Sequence, residues 1–356
     1  MNLKADKILV LRYRFIGDTV LTVPFLKNLR QAFPSARIDL MLEPFSGQVI
    51  EGCPYVDRIV PFEVKTIHRY SNRSERSKLA AYIGYVWQIR RERYDAAFVL
   101  KRSLSSAFLV WAAGVPRRIG FATEGRRLLL TDPVPYRQDQ HEVQNFLDCL
   151  RALDIPVVSQ ALELWPSPEG DKKVLSLFDE KGWRADDLKI IIHAAASLPA
   201  KQWPSERFVA VMRILKQKHQ ARFIYTGDRR DSVLYDDMEK RGQFDGLNLC
   251  GLTTLRENLS VYRAADLFFG VDSGPLHMAA AVGVPVVALF GPTDERKWGP
   301  WGGNHTVISK RLACHPCKAH KCDSNDCMSQ IGVDEVVNAL EEKIRNLGPR
   351  PRARLI

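Results

Sequence analysis

Three stretches of this 356-residue sequence join small residues to charged side chains at points where an apolar run ends. The first contains Arg12, Arg14, Gly17 and Asp18. In one interpretation Asp18 caps a helix by accepting hydrogen bonds from free backbone amides. In the other it is a general base that removes a proton from an acceptor hydroxyl. Arg12 and Arg14 would then bind an acidic acceptor, or they are solvated surface residues.

The second stretch, HAAASLPAKQWP, runs from His193 to Pro204. Its small residues allow the backbone to approach a ligand closely, and Ser197 offers a hydroxyl. Lys201 adds a point positive charge. The alternative is a plain loop that carries a solvated lysine.

The third stretch places Asp272, Ser273 and Gly274 after the apolar run LFFGV, with Pro275 in the first turn of a helix. The amides and the dipole of a helix N-terminus attract anions, so this turn predicts a diphosphate site. His277 follows within the first turns, either as a ligand contact or as a structural histidine. No G-x-G-x-x-G spacing follows the first strand, which argues against a dehydrogenase.

These stretches belong to two repeated blocks, in which short strands rich in Val, Ile and Phe alternate with amphipathic helices. Strands that are apolar on both faces form parallel sheets, and ligands bind at their carboxyl ends. The segment Leu162–Asp171 is the predicted linker, because it contains proline and glycine. We therefore predict an α/β fold with two doubly wound, Rossmann-like domains, 1–165 and 172–347, facing a cleft. The predicted strands are Lys7–Tyr13, Ile38–Leu42, Arg58–Phe62, Ala96–Leu100, Lys189–Ala194, Arg222–Thr226, Leu267–Val271 and Pro285–Phe290.

Composition limits the class of protein. A hydrophobic fraction of 46% and a net charge of +11 fit a globular protein that either has a polyanionic partner or carries the charge only as a solubilising surface. Nucleic acid, an anionic membrane surface and an acidic glycan all satisfy that charge. No apolar run is long enough to span a membrane, and the first residues do not resemble a signal peptide, so we expect a cytoplasmic protein. The basic pairs that would meet the partner are Lys101-Arg102, Arg117-Arg118 and Arg126-Arg127.

Four of the seven cysteines are close together in the sequence, as Cys314, Cys317, Cys322 and Cys327. Four such thiols can bind zinc, form one or two disulfides or remain free. The spacing leaves these three alternatives open, and we expect no catalytic role for the cluster.

Together, RFIGDTVLTVP, HAAASLPAKQWP, FFGVDSGPLHMAAAVGVPVVALFGPTD and the cysteine cluster resemble the glycosyltransferase family that contains the ADP-heptose:lipopolysaccharide heptosyltransferases, glycosyltransferase family 9. The similarity runs from about Lys7 to Leu347, with the motifs in family order. The second stretch is most similar to enzymes that add the second heptose.

The resemblance implies a GT-B fold and inversion at the anomeric carbon, with no metal and no cofactor. Asp18 would be the general base and Lys201 would neutralise the donor phosphates. The donor-binding residues would be Ser197, Lys201, Asp272, Ser273, Gly274 and His277, with Gly251 and Thr253 near the adenine. Where relatives carry hydroxyl side chains after the second domain's first strand, this chain has Ala194–Ala196, which favours phosphate contacts through the backbone.

The implied partners are a nucleotide-diphosphate sugar donor and a lipid-linked acidic glycan acceptor, which Arg12, Arg14, Lys101 and Arg102 would bind. The protein would dock on the inner face of the cytoplasmic membrane by charge and would bind no nucleic acid. The competing hypotheses are a nucleotide-sugar epimerase or hydrolase on the same scaffold, a basic nucleic-acid-binding protein, and a relative that binds donor without transferring sugar.

Overall fold

The computed structural model describes residues 3–12, 15–63, 74–317 and 321–348, so the predicted site residue Arg14 lies outside the described residues. The chain forms two compact units, Met1–Ala161 and Leu162–Ile356. Among the described helices, none has the length and apolar character needed to cross a membrane.

The described part of the first unit contains the parallel strands β1 (Lys7–Leu11), β2 (Arg37–Leu42), β3 (Arg58–Pro61), β4 (Ala96–Val99), β5 (Arg117–Phe121) and β6 (Asp132–Val134). The strand order is β3-β2-β1-β4-β5-β6, as in dinucleotide-binding folds. Val10 of β1 lies between Leu40 of β2 and Phe98 of β4, and all three are fully buried. The central strands are apolar because helices cover both faces of the sheet.

The described helices of this unit are α1 (Ile16–Leu21), α2 (Val23–Ala32), α3 (Pro44–Gly47), α4 (Glu75–Glu92), α5 (Leu104–Ala112) and α6 (Glu142–Arg151). Sequence periodicity predicts one helix over Thr19–Phe33, but the structure has two, α1 and α2, separated at Thr22. Pro24 explains the break, since it lacks the N–H that a continuous helix requires and is tolerated only in a first turn.

The second unit repeats the architecture, with parallel strands β7 (Lys189–His193), β8 (Arg222–Tyr225), β9 (Leu247–Asn248), β10 (Leu267–Val271), β11 (Val286–Phe290) and β12 (His305–Ser309) in its described residues. Their order, β12-β11-β10-β7-β8-β9, reverses between β10 and β7. The carboxyl ends of those two neighbours therefore form the topological switch point of the sheet.

The helices described in the second unit are α7 (Pro168–Glu180), α8 (Ser205–His219), α9 (Ser232–Gly242), α10 (Leu255–Ala264), α11 (Gly274–Ala281), α12 (Glu295–Trp298), α13 (Asp326–Ser329) and α14 (Val333–Arg345). The predicted linker Leu162–Asp171 is partly wrong, because α7 begins at Pro168. Ser167 caps α7 by accepting from the Gly170 N–H at 3.0 Å, so the proline that suggests a linker is the first residue of a helix.

Candidate active site

Lys201 and Asp272 form an ion pair where the central strands of the second unit end. Lys201 lies in the short 3-10 helix Pro199–Lys201 after β7, and Asp272 follows β10 directly. Lys201 Nζ is 2.6 Å from Asp272 Oδ2, and the side chains are 19% and 8% exposed. The pair thus lies at the switch point of the sheet, where ligands bind in this architecture. Lys201 is not a solvated lysine on a plain loop, so that alternative is wrong.

Two buried aromatic side chains hold the ends of the loop that carries Lys201. At its start, the Ala194 N–H donates to the Tyr235 hydroxyl at 3.1 Å. At its end, the Trp203 indole N–H donates to the Ile331 carbonyl at 3.2 Å. Because both ends are fixed on the core, Lys201 extends to the end of β10 from a well-supported backbone.

The strands β7 and β10 approach closely beside this pair. A Cβ at Gly270 of β10 would lie 2.5 Å from the His193 carbonyl oxygen, closer than real contacts allow, so this position requires glycine. Burial lowers the pKa of His193 to about 4, although its hydrogen bond to the Thr226 carbonyl, at 2.9 Å, partly opposes the shift. His193 is therefore neutral at neutral pH and has a structural role at the end of β7.

The N-terminus of α11 follows Asp272 and presents hydrogen-bond donors. Ser273 occupies the N-cap position without a capping bond, and its buried hydroxyl has no hydrogen-bond partner within the described part of the chain. The Gly274 and Leu276 amides belong to the first helical turn, whose N–H groups have no partner inside the helix. Together with the helix dipole they form a site for an anion beside Lys201. His277, in the same helix, is buried.

The other predicted donor residues lie at the same edge of this sheet. Ser197 is exposed in the loop after β7. Gly251 follows β9 with φ of 69°, and Arg229 Cα would lie 3.0 Å from a Cβ there, so the fold alone requires glycine. The Thr253 hydroxyl donates to Asn258 Oδ1 at 2.7 Å, at the start of α10. Contacts of these residues with a nucleotide stay predictions.

In the first unit, Asp18 is paired with Arg12 at the end of β1. Arg12 Nη2 is 2.7 Å from Asp18 Oδ1, both side chains are largely buried, and the guanidinium lies 5.0 Å from the Phe146 ring centroid. Asp18 is the third residue of α1, while Phe15 holds the N-cap position. The interpretation of Asp18 as a helix cap is therefore wrong. Arg12, expected to bind an acceptor, has a buried internal partner, and its contact with an acceptor stays a prediction.

Burial raises the pKa of Asp18 above the ordinary value for an aspartate. Arg12 opposes this increase, as does Lys101 more weakly, and the carboxylate of Glu142 adds to it. A carboxylate with a raised pKa is a stronger base, which suits proton removal from a hydroxyl. The position after the first strand thus combines a buried carboxylate with a cation that favours its ionised form.

Glu142 is a second buried carboxylate of this site, and sequence reasoning missed it. The Tyr136 hydroxyl donates to Glu142 Oε2 at 2.7 Å, and Asn145 Nδ2 donates to the same oxygen at 3.4 Å. Arg102, a predicted acceptor residue, lies 4.2 Å from the Tyr136 ring centroid. Glu142 begins α6, which follows no predicted strand; the amphipathic pattern of HEVQNFLDCL is the signal that could have located that helix.

Phe15 has a backbone conformation that non-glycine residues rarely adopt, with φ of 66° and ψ of 133°. It lies between β1 and α1, three residues before Asp18, and its side chain is exposed. Backbone strain of this kind concentrates at functional sites, because surrounding structure must hold it in place. The strained junction marks this end of β1 as a candidate site independently of its charged residues.

Three of the six predicted basic surface residues form hydrogen bonds within the first unit. Arg126 is fully buried and donates to the Phe121 and Lys101 carbonyls. Arg117 forms two bonds to Asp132, and Arg118 donates to main-chain carbonyls. The expectation that these arginines form a free basic surface is wrong, because loops of the first unit use them as hydrogen-bond donors.

The four clustered cysteines are free thiols in this structure, so the disulfide alternative is not observed. Cys327 is buried, which raises the pKa of its thiol, whereas backbone hydrogen bonds lower the pKa of the exposed Cys322. One group of possible metal ligands occurs in the described residues, formed by Asp294, Glu295 and His315. His315 Nε2 is 2.9 Å from Glu295 Oε2, and Arg296 and Arg311 pair with the two acids.

Two doubly wound parallel sheets, one with a helix N-terminus and a paired lysine at its switch point, are typical of an α/β nucleotide-binding enzyme of GT-B type. The sequence profile of glycosyltransferase family 9 (heptosyltransferase) matches residues 85–328. The chain belongs to this family and is a glycosyltransferase. The family resemblance and the predicted α/β GT-B fold are both confirmed.

Individual relatives agree with this assignment. The chain is 26% identical to lipooligosaccharide heptosyltransferase 2 of Haemophilus influenzae over 355 residues, 96% of this chain and 99% of the relative. A glycosyltransferase family 9 structure from Veillonella parvula aligns with a TM-score of 0.83 at 20% identity, covering 97% and 99% of the two chains. The E. coli heptosyltransferase WaaC with ADP gives a TM-score of 0.74 at 19% identity, covering 95% and 99%.

Proposed function

We propose that this chain transfers heptose from ADP-heptose to the inner core of lipopolysaccharide, with inversion at the anomeric carbon. The observation that carries the proposal is the Lys201–Asp272 pair beside the N-terminus of α11, which suits a nucleotide diphosphate. The name of the Haemophilus influenzae relative and the ADP in the E. coli structure support the sugar, the acceptor and the nucleotide.

We assign donor binding to domain 172–347. Lys201 and the amides near Gly274 neutralise the charge that develops on the departing diphosphate. Because a lysine and a helix N-terminus supply this charge, the reaction needs no metal and no cofactor. Ser197, Asp272, Ser273 and His277 complete the phosphate and sugar contacts, and Gly251 and Thr253 border the adenine.

We assign acceptor binding and proton removal to domain 1–165. Asp18 takes the proton of an acceptor hydroxyl, and that oxygen attacks the anomeric carbon on the face opposite the diphosphate. The bond between the anomeric carbon and the phosphate oxygen breaks, and ADP leaves with that electron pair. Arg12 and Arg14 with Lys101 and Arg102 provide positive charge for an acidic acceptor.

The acceptor sets the location of the reaction. A lipid-linked glycan is held at a membrane whereas the nucleotide sugar is dissolved, so the enzyme works in the cytoplasm, at the inner face of the cytoplasmic membrane. The net charge of +11 then serves two partners, an acidic glycan and an anionic membrane surface, and the chain binds no nucleic acid.

A nucleotide screen followed by a transfer assay tests this function. ADP at 100 times its dissociation constant should stabilise the protein by about 2.7 kcal/mol in a thermal-shift assay, whereas UDP and GDP should act more weakly. Incubation with ADP-heptose and lipopolysaccharide lacking that heptose should add one heptose by mass spectrometry, with or without EDTA. Turnover of the nucleotide sugar without acceptor would instead indicate an epimerase or hydrolase. Stronger stabilisation by UDP or GDP than by ADP would refute ADP-heptose as the donor.

A further inference from the structure

Two neighbouring helices of the first unit expose an apolar face. On α4, Leu79, Ile83 and Trp87 are spaced by four residues and therefore lie on one side of the helix. On α5, Phe108 and Trp111 are exposed in the same way, together with Leu104. We call the surface formed by these six residues the α4–α5 face.

The two helices form one continuous support for this face. The Tyr82 hydroxyl donates to the Ser105 carbonyl at 2.6 Å, and its ring is 6.2 Å from Phe108. The Phe108 and Trp111 rings are 5.3 Å apart. On their other sides, both helices pack into the core of the unit, through residues such as Ile89 and Val110. The exposed residues are therefore additional to the residues that hold the helices in place.

The exposure is large for side chains of this type. Trp87 is 59% exposed and Trp111 is 47% exposed. Large apolar side chains that stay exposed on two packed helices point to an interaction site. Leu128, in the 3-10 helix Arg126–Leu129 that contacts α5, is also exposed.

Cations accompany the α4–α5 face. The Arg90 guanidinium lies 5.9 Å from the Trp87 ring centroid. Arg91 of α4 is also exposed, as is Arg127 in the 3-10 helix Arg126–Leu129. Glu92, the acidic residue of α4 whose side chain the structure describes, is paired with Lys7 and Arg58. Tryptophan and aliphatic side chains bordered by arginine are typical of proteins that lie in the headgroup region of an anionic bilayer.

We propose that the α4–α5 face inserts Trp87, Trp111 and their aliphatic neighbours into the interfacial layer of an anionic phospholipid bilayer, with Arg90, Arg91 and Arg127 on the headgroups. This inference rests on the proposed function, which places the acceptor at a membrane. This mode of binding differs from docking by charge alone, because the burial of apolar side chains contributes part of the binding free energy. A second copy of the chain fits less well, because a two-fold interface would bring together two faces that both carry positive charge.

Vesicle sedimentation tests the proposal. The full chain should bind vesicles of phosphatidylglycerol and phosphatidylcholine, and part of the binding should persist at 1 M salt, where exposed charges are screened (Debye length about 3 Å). The double variant Trp87→Ser/Trp111→Ser should bind roughly tenfold more weakly or worse and lose the salt-resistant part. Trp87→Phe/Trp111→Phe should retain most binding. Leu175→Ser, at an exposed leucine of α7, is the matched control and should bind as the parent protein does.

Three outcomes separate the possibilities. Unchanged vesicle binding by Trp87→Ser/Trp111→Ser would overturn the proposal. So would a lipid-free dimer in sedimentation velocity that the same double variant dissociates, because a second copy would then cover the face. Transfer to a water-soluble acceptor glycan should be equal in the parent protein and in this variant. If the parent protein transfers no heptose to that acceptor, the proposed function is wrong, whatever the vesicles show.

Discussion

The Lys201–Asp272 pair allows a quantitative prediction. At 2.6 Å, an effective dielectric constant of about 20 gives an attraction of about 6 kcal/mol between the two charges. Desolvation offsets much of this, so the informative quantity is the loss when one partner is removed, about 3–5 kcal/mol for a buried pair. Because the Lys201 side chain keeps 19% exposure, we expect Asp272→Asn to lower the free energy of unfolding by about 3 kcal/mol, the lower end of the range.

A double-mutant cycle measures that coupling. Each kilocalorie corresponds to roughly 2–4 °C for a domain of this size, so Asp272→Asn should melt about 6–12 °C lower. Lys201→Met should also destabilise, and the double variant should be more stable than Asp272→Asn, because no unpaired charge is buried. The control is Lys310→Met/Glu335→Gln, a more exposed pair in the same unit, with coupling below about 1 kcal/mol. A Lys201–Asp272 coupling as small as the control's would refute the reasoning.

Three further predictions concern pH and packing. Activity should fall in acid as Asp18 is protonated, and this fall should begin at a higher pH than for an ordinary aspartate. In the pH profile of kcat/KM, Arg12→Gln should move the acidic limb to higher pH and Glu142→Gln should move it to lower pH. Shifts of the same sign in the two variants would contradict the charge assignment. His193 has a pKa of about 4 in the folded protein and about 6.5 in the unfolded chain, so its contribution to stability is complete above pH 6.5 and falls by about 3 kcal/mol towards pH 4. In urea titrations, His193→Gln should flatten the dependence of the free energy of unfolding on pH. An unchanged pH slope in that variant would exclude His193 as the source of the dependence. Gly270→Ala should lower the free energy of unfolding by about 1–3 kcal/mol, whereas Gly303→Ala, with open space around it, should be near neutral; equal effects would show that strand approach does not require Gly270.

The sequence predicts the central strands well, because their apolar composition reflects burial on both faces. It misses four strands: β5 begins with Arg117 and Arg118, β6 contains Pro133, β9 has two residues and β12 is mostly half-buried, so none of them shows the continuous apolar run of the central strands. The reversal between β7 and β10 depends on the pairing of strands far apart in the chain, such as Ile190 with Leu267, and it brings together Lys201 and Asp272, which are 71 residues apart. Local patterns predict that both residues are functional, but not that they are partners.

Charged residues show the same limit in the first unit. Arg126 and Arg12 appear in the sequence as free cations, yet both are buried against internal acceptors. Arg12 pairs with Asp18 of α1, and Arg126 donates to the carbonyls of Phe121 and Lys101. Only the folded chain brings these groups together, so the sequence alone does not separate the two arginines from the exposed Arg127. Glu142 is missed for the related reason that a carboxylate at a helix start usually faces solvent.

The most direct test of the central claim is transfer by Asp18→Asn. This change keeps the shape of the side chain but removes its basicity, while Lys201 and the N-terminus of α11 are unaltered. We predict an ADP dissociation constant within about twofold of the parent value and a transfer rate roughly 10²–10⁴ times lower. Asp139→Asn, at an exposed aspartate of the same unit, should leave both unchanged. Transfer by Asp18→Asn at close to the parent rate, with the fold intact, would contradict the account.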